Sequence, residues 1–589
     1  MATQQDEGFE ERRSAFVQEI EGYLMGEEPQ KAFETIHDLK NYEAFNASGY
    51  ELIPIAGKYV TRKFKDEKPA LFRCAVQMLD RISREFSPQE TYLELLEQAE
   101  DGDDVKFCTM LDIIKYCLLR MPNQRGKSIS WACDTIVRHL CNMDTPKSKD
   151  TDDDDDDGAS LLFKKNCEVV RDISMVLEII IAFFQPFVQD LQDTNCEVPA
   201  DHKREYRDDI MKSLLKCLGR PLIHLNLSKD SDYFGLASSI LDMVGVFVRD
   251  PFELLPQVDL SFGCVEQLEC DAISTDFTNV SLGCYFYLIF DDEDRLQNIS
   301  HVHSPKYLFE CVMALAFDLL GTNEAPLILK ALKLFHAVLG RIPSKTVEFN
   351  SIKDTVMSKF LEMLTRTMVY NEEKELRQLS VQIYPRFLGK FTPEGQYIVL
   401  YNANQLSSDP GFIGFCLTLV KDQVKEALDT KDQVSLRYFS GKRLIDLMSR
   451  YCRINGLIEA DLQSHTDQIM SCLNLIRYIL IRDKNNEADL WPFMASIDEL
   501  YIEPVKNACL FARGMYEDCK ANLHQSPDRR IQVDVVGFEE LLPEMTPEEQ
   551  IRHMNEKLTK VDMIDYLASR VSECLVEYKQ NYQMLVQSS

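Results

Sequence analysis

The chain has 589 residues, 45% of them apolar and 27% charged, and a formal net charge of −31. It is too long for one hydrophobic core and too apolar for a disordered chain, so several domains or an extended array are expected. The acidic balance opposes binding to nucleic-acid phosphate, which needs clustered Lys and Arg.

Met1 to Glu11 is polar and acidic with no apolar run behind a basic start, so no secretory signal is expected. Only 23 glycines and 22 prolines interrupt long stretches rich in Leu, Ile, Met, Glu, Lys and Gln. These residues favour helix throughout. Helix starts are marked by Ser or Thr followed by Pro at Ser87-Pro88, Ser304-Pro305, Thr392-Pro393 and Thr546-Pro547. Ser87 with Glu90 and Thr546 with Glu549 have the spacing of capping boxes. The expected fold class is all-α, a HEAT/armadillo-like α-solenoid of stacked antiparallel helical hairpins.

In chain order, 1–143 reads as N-terminal helical repeats. The stretch 144–158, holding the run Asp152 to Asp157, reads as an acidic disordered linker that also lacks the glycine and terminal glutamate of a calcium loop. Helical repeats continue over 159–249, where the apolar stretch Ser174 to Val188 carries Glu178, Gln185 and Pro186 and is too short to cross a bilayer, so it is read as a core helix. An irregular connection follows at 250–275.

The span 276–525 reads as C-terminal HEAT-like repeats. Its clearest unit is Ser304 to Arg341: one apolar helix closed by Gly321-Thr322-Asn323, then a second with Pro326 in its first turn. Helices near Ile352–Met368 and Glu372–Leu388 place hairpin starts about 45 residues apart, close to HEAT and armadillo spacing. The remainder, 526–589, is expected to be a loop with terminal helices; Ile531 to Val536 is the one respectable strand candidate.

Chemistry-bearing motifs are sparse. The 18 cysteines are scattered singly with no C-x-x-C, so free thiols in a reducing compartment are expected. Cys264/Cys270 and His301/His303 are the nearest approach to a metal set and read as unrelated surface and loop residues. Gly126-Lys127-Ser128 has the end of a phosphate-binding loop but lacks the earlier glycine, and reads as a loop between helices. No hydrolase, protease, kinase or dinucleotide signature occurs, so no enzyme activity, cofactor or metal is expected.

Charge is uneven along the chain. From Lys421 to Arg530 there are 16 Lys and Arg against 17 Asp and Glu, a difference of −1, so nearly all the negative charge lies elsewhere. Arg437, Lys442, Arg443, Arg450 and Arg453 face only Asp446 as an opposing charge within their run. This is either a basic patch steering an acidic partner or a set of solvated helix faces.

Asp467–Asp483, reading DQIMSCLNLIRYILIRD and followed by Leu490-Trp491, resembles the glomulin family of FK506-binding-protein-associated proteins. The likeness continues at Lys216–Leu222, Tyr233-Phe234, Ser238–Leu241, Ser304-Pro305, Tyr307-Leu308, Leu332–Ile342, Glu503-Pro504 and Pro543–Glu549. It covers roughly Lys216 to Glu549; ahead of Ser160 only length and helical character agree, and the Asp152–Asp157 run has no match.

The resemblance implies a cytoplasmic protein, with access to the nucleus, that inhibits cullin-RING ubiquitin ligases. Its C-terminal half would bind the RING domain of the RING-box subunit on a cullin and block the ubiquitin-conjugating enzyme. FK506-binding immunophilins and a receptor tyrosine kinase are further partners of that family. Charge and placement in the matched half nominate Lys421, Lys425, Arg437, Lys442, Arg443, Arg477, Arg482, Tyr516 and Lys520 as contacts. Arg477 and its neighbour Tyr478 read equally well as residues that cap or pack the core. The alternative function is a HEAT-type scaffold or adaptor without inhibitory activity.

Overall fold

The computed structural model describes residues 2–146, 167–193, 198–261, 278–296, 299, 303–349, 354–453, 462–525 and 546–588. The Asp152–Asp157 run, Cys264, Cys270, His301 and the Ile531–Val536 candidate lie outside them. Every named element among the described residues is helical, and the one extended pairing is a single parallel bridge between Val347 and Phe391. The fold is therefore the all-α solenoid that the punctuation implied, in two compact units, Met1–Arg341 and Ile342–Ser589. That division falls inside the span 276–525.

The first unit comprises α1 (Ala2–Met25), α2 (Pro29–His37), α3 (Tyr42–Gly57), α4 (Arg62–Glu67), α5 (Pro69–Glu85), α6 (Pro88–Ala99), α7 (Asp104–Leu119), α8 (Pro122–Asn142), α9 (Glu168–Gln192), α10 (Ala200–Cys217), α11 (Phe234–Phe247), α12 (Asn279–Asp291), α13 (Glu293–Leu296), α14 (Pro305–Gly321) and α15 (Ala325–Leu339). They stack in two layers: α3, α6, α8, α10 and α12 pack side by side in one, and α2, α5, α7, α9 and α11 in the other. Most of these helices bury an apolar stripe, and α12 is buried nearly all round. In α9 that stripe is Val170, Ile173, Val176, Leu177, Ile180 and the three phenylalanines up to Phe187, as the core-helix reading requires.

The second unit holds α16 (Asp354–Tyr370), α17 (Lys374–Leu388), α18 (Pro393–Leu406), α19 (Pro410–Thr430), α20 (Gln433–Phe439), α21 (Gly441–Tyr451), α22 (Thr466–Arg482), α23 (Trp491–Ile497), α24 (Glu503–Gln525) and α25 (Pro547–Ser588). A π-helical turn, Asp498–Ile502, joins α23 to α24. Helices α19 and α22 form its most intimate pair, and α25 runs against α22 and α24.

Several local readings need correction. Thr546 and Glu549 do form a reciprocal cap, and Ser304 and Thr392 cap their helices at Tyr307 and Gly395. Ser87 makes no side-chain cap bond, so α6 starts on Pro88 alone. Gly126-Lys127-Ser128 is no loop but part of α8. Gly126 is there because a Cβ would stand 2.8 Å from His202 Cβ, and α8 and α10 approach that closely.

The expectation of free thiols fails at one pair. Cys452 and Cys472, with Cα atoms 5.9 Å apart, form a disulfide between the end of α21 and α22. Thirteen other described cysteines are free. Burial pushes the thiols of Cys108, Cys217, Cys284 and Cys416 up to about 12, which leaves them packed and unreactive. The irregular connection opens with a 3-10 helix, Pro251–Gln257, and the described tail after Thr546 is one helix rather than several.

Candidate protein-binding face

Helices α18, α20 and α21 pack together in the second unit and bring five side chains from three segments into a row. Tyr397 and Tyr401, one turn apart on α18, stack with ring centres 5.7 Å apart. Tyr438 of α20 lies 6.0 Å from Tyr397 on one side. Arg443 of α21 sets its guanidinium 4.2 Å from the Tyr438 ring centre and donates to the Arg437 carbonyl at 3.1 Å. At the other end Arg450 lies 3.8 Å over Tyr401 and donates to the Tyr401 carbonyl and to Asn404 Oδ1.

The row reads Arg443, Tyr438, Tyr397, Tyr401, Arg450, and all five side chains are half-buried. Each guanidinium is oriented by a ring and a backbone carbonyl, and each side chain of the row keeps part of its surface exposed. Arg and Tyr so held lose little freedom on binding, which is why these types recur at energetic centres of interfaces. Burial raises the Tyr397 hydroxyl above its ordinary range, with Asp446 and Tyr401 adding to the shift, so it stays a neutral donor.

Beside the row lies a groove of about 600 Å³, bounded by Glu348 and Phe349, Glu394 at the start of α18, and Val434, Arg437 and Tyr438 of α20. Val434 is 54% exposed at its lip. Its lining combines the apolar Phe349 and Val434 with two carboxylates, Glu348 and Glu394, and one guanidinium, Arg437, a mixture suited to a side-chain socket in a protein interface.

The nine residues nominated from sequence separate into three places. Arg437, Lys442 and Arg443 sit on α20 and α21 at the row and its groove, with Arg437 and Lys442 exposed. Lys421 and Lys425 lie on α19, and Arg477 and Arg482 on α22; Lys425, Arg477 and Arg482 are exposed, and Arg482 is paired with Asp429. Lys520 on α24 donates to Asn555 of α25. Tyr516 is a core side chain, 1% exposed with Lys557 over its ring, and holds α24 to α25.

Sequence reasoning missed Tyr397, Tyr401 and Tyr438 and left Arg450 out of the nominated set. The tyrosines at i, i+4 on α18 were the available signal. Among the described residues no group of His, Cys, Asp and Glu could hold a metal ion, and no helix is long and apolar enough to cross a membrane. His303 rests against Phe252 and Tyr307.

Residues 265–567 match the family described as "Uncharacterised protein family, YAP/Alf4/glomulin", a span that contains the whole row. The chain is 23% identical to human glomulin over 563 residues, 93% of this chain and 90% of that protein. It is 23% identical to mouse glomulin over 585 residues, covering 95% and 92%. Structural alignments reach a circular tandem repeat protein (TM-score 0.17, 12% identity, 96% of this chain and 91% of that one) and the karyopherin Kap121p bound to the extreme C-terminus of the phosphatase Cdc14p (TM-score 0.18, 12% identity, 97% and 74%). At these scores the overlap carries no argument. With just over half of its length matched by the family model, and near full-length similarity to two glomulins, this chain belongs to the YAP/Alf4/glomulin family.

Proposed function

We propose that this protein inhibits cullin-RING ubiquitin ligases by seating the Tyr–Arg row of its second unit on the RING domain of the RING-box subunit. The conjugating enzyme is then excluded sterically, and no chemistry is asked of this chain. The resemblance to glomulins suggests the partner class, and the pre-oriented row from Arg443 to Arg450 is the single observation that carries this reading. A standard interface buries roughly 1,600 Å², within reach of a face built from three adjacent helices and the groove beside them.

The test is to titrate the full chain against a cullin complex carrying its RING subunit, reading binding and ubiquitin-chain formation in the same samples. Saturable binding with chain formation lost in proportion supports the proposal. Binding with undiminished chain formation would leave an adaptor, and absence of binding would remove the RING subunit as partner.

A further inference from the structure

The first unit carries a second face of different chemistry. Helices α3, α6 and α8 run parallel in one layer. Gly49 of α3 abuts Phe86, which follows α5 just ahead of α6, and Gly57 abuts Gln98 near the end of α6. The Tyr92 hydroxyl of α6 donates to the Ser128 carbonyl of α8, and Glu100 and Arg138 pair between two and three helical turns further along. This register sets Leu93 and Trp131 at one level.

Four large side chains stand exposed on these helices: Tyr42 at the first position of α3 and, further along, one per helix, Tyr50 at 48% exposure, Leu93 at 52% and Trp131 at 54%. The chain has two tryptophans, and the other, Trp491, is 7% exposed. Around Leu93 and Trp131 the charge is negative, while Arg13 beside Tyr50 is paired with Glu10 and Glu51. Helix α6 holds Glu90, Glu94, Glu97 and no Lys or Arg; Glu100 follows at its end, and Asp134 is exposed on α8. Of the cations on α8's outer face, Arg138 is paired with Glu100, leaving Lys127 near Trp131.

Aromatic and aliphatic crests set among carboxylates match a ligand that offers apolar groups and cations together: the apolar side chains cover the crests, and Lys or Arg meet the carboxylates and the indole face. Spacing selects its form. Neighbouring helices of a layer lie ~8–10 Å apart, and seven residues of an α-helix advance ~10.5 Å. A helix crossing α3, α6 and α8 therefore meets one crest per two turns.

We propose that the Tyr50–Leu93–Trp131 row docks a basic amphipathic helix of a partner protein, lying across α3, α6 and α8 with its apolar residues seven apart. This surface belongs to the first unit and stands apart from the RING reading.

The probe is a synthetic helical peptide of ~21 residues, long enough for three crests at that spacing, with leucine at every seventh position and lysine prominent elsewhere. A counterpart carries glutamate for lysine. Each is titrated into the full chain, reading Trp131 emission and the anisotropy of a labelled peptide. The lysine peptide should bind saturably and shift Trp131 emission to the blue, and Trp131→Phe should remove that shift. Leu93→Asp and the pair Glu90→Lys with Glu97→Lys should each weaken binding at least ~10-fold while leaving the thermal melt in place. Glu517→Lys with Asp518→Lys, on exposed positions of α24, should leave it unchanged.

Non-saturating binding or equal weakening by the α24 pair would mean diffuse attraction to an acidic chain, equal binding of the glutamate peptide would mean that charge plays no part in recognition, and each of these would overturn the proposal. A cullin-RING result of either sign leaves this measurement untouched.

Discussion

The guanidinium of Arg450 lies 3.8 Å over the ring of Tyr401 and donates at 3.2 Å to the carbonyl of that same residue. One side chain is thereby fixed from two directions by one neighbour on another helix. Arg443 repeats the device with Tyr438 and the Arg437 carbonyl, at 4.2 Å and 3.1 Å. Two cations at the ends of a tyrosine stack are held in place before any partner arrives.

Charge reversal at both ends, Arg443→Glu with Arg450→Glu, is expected to weaken binding to the RING-bearing complex at least ~10-fold, about 1.4 kcal/mol. The effect on stability should be small, roughly 1 kcal/mol or less per site, because both guanidiniums are part-exposed. Titration calorimetry beside a urea melt separates the two. Equal affinity for wild type and variant would remove the row from the interface.

Arg125 is held differently, at 4% exposure, donating to the Leu118 and Leu119 carbonyls at the end of α7 and to Asp190 of α9. Arg125→Ala would strand a carboxylate and two helix-end carbonyls. A loss of ~3–5 kcal/mol in the first unit is expected, read as a lower urea midpoint for that unit's transition. A variant as stable as wild type would mean that water replaces all three bonds.

Much of the helical order was legible because its signals are local. Proline at a first helical position, a hydroxyl cap at Ser304 or Thr392 and a left-handed Asn323 after α14 each act within a few residues. The Tyr–Arg row was not, since Tyr397 and Arg450 meet only when α18 packs on α21, and nothing in either segment names the other. Tyr516 was nominated by residue type, yet Cys509, Ala512 and Cys519 share its apolar stripe and mark it as core. The bond between Cys452 and Cys472 likewise joins positions twenty residues apart that carry no paired motif.

Two glycines should respond oppositely to alanine. A Cβ on Gly414 would stand 2.8 Å from the backbone oxygen of Asp467, where α19 and α22 touch, and backbone cannot yield as a side-chain tip does. Gly414→Ala is expected to destabilise the second unit by ~1–3 kcal/mol. Gly245, inside α11 with open space around the added carbon, should gain ~0.5–1 kcal/mol as alanine. Thermal melts of both variants check the pair, and a stabilised Gly414→Ala would contradict the close helix contact.

Lys330 gives the first unit a pH dependence of definite sign. It is buried in α15 with Nζ donating to the Leu225 carbonyl at 2.8 Å, and burial lowers its amine to about 7. The unfolded amine titrates near ~10.4, so between those values the unfolded chain binds a proton that the folded chain does not. Stability therefore rises with pH across this window, by up to ~1.4 kcal/mol per pH unit from this group. Buried thiols such as Cys284, pushed up to about 12, act in the opposite sense above their unfolded value. Comparison with Lys330→Met cancels most of that contribution. Urea unfolding at several pH values between 7 and 9 should show wild type gaining on the variant as pH rises. Parallel curves would mean that Lys330 keeps its proton when folded.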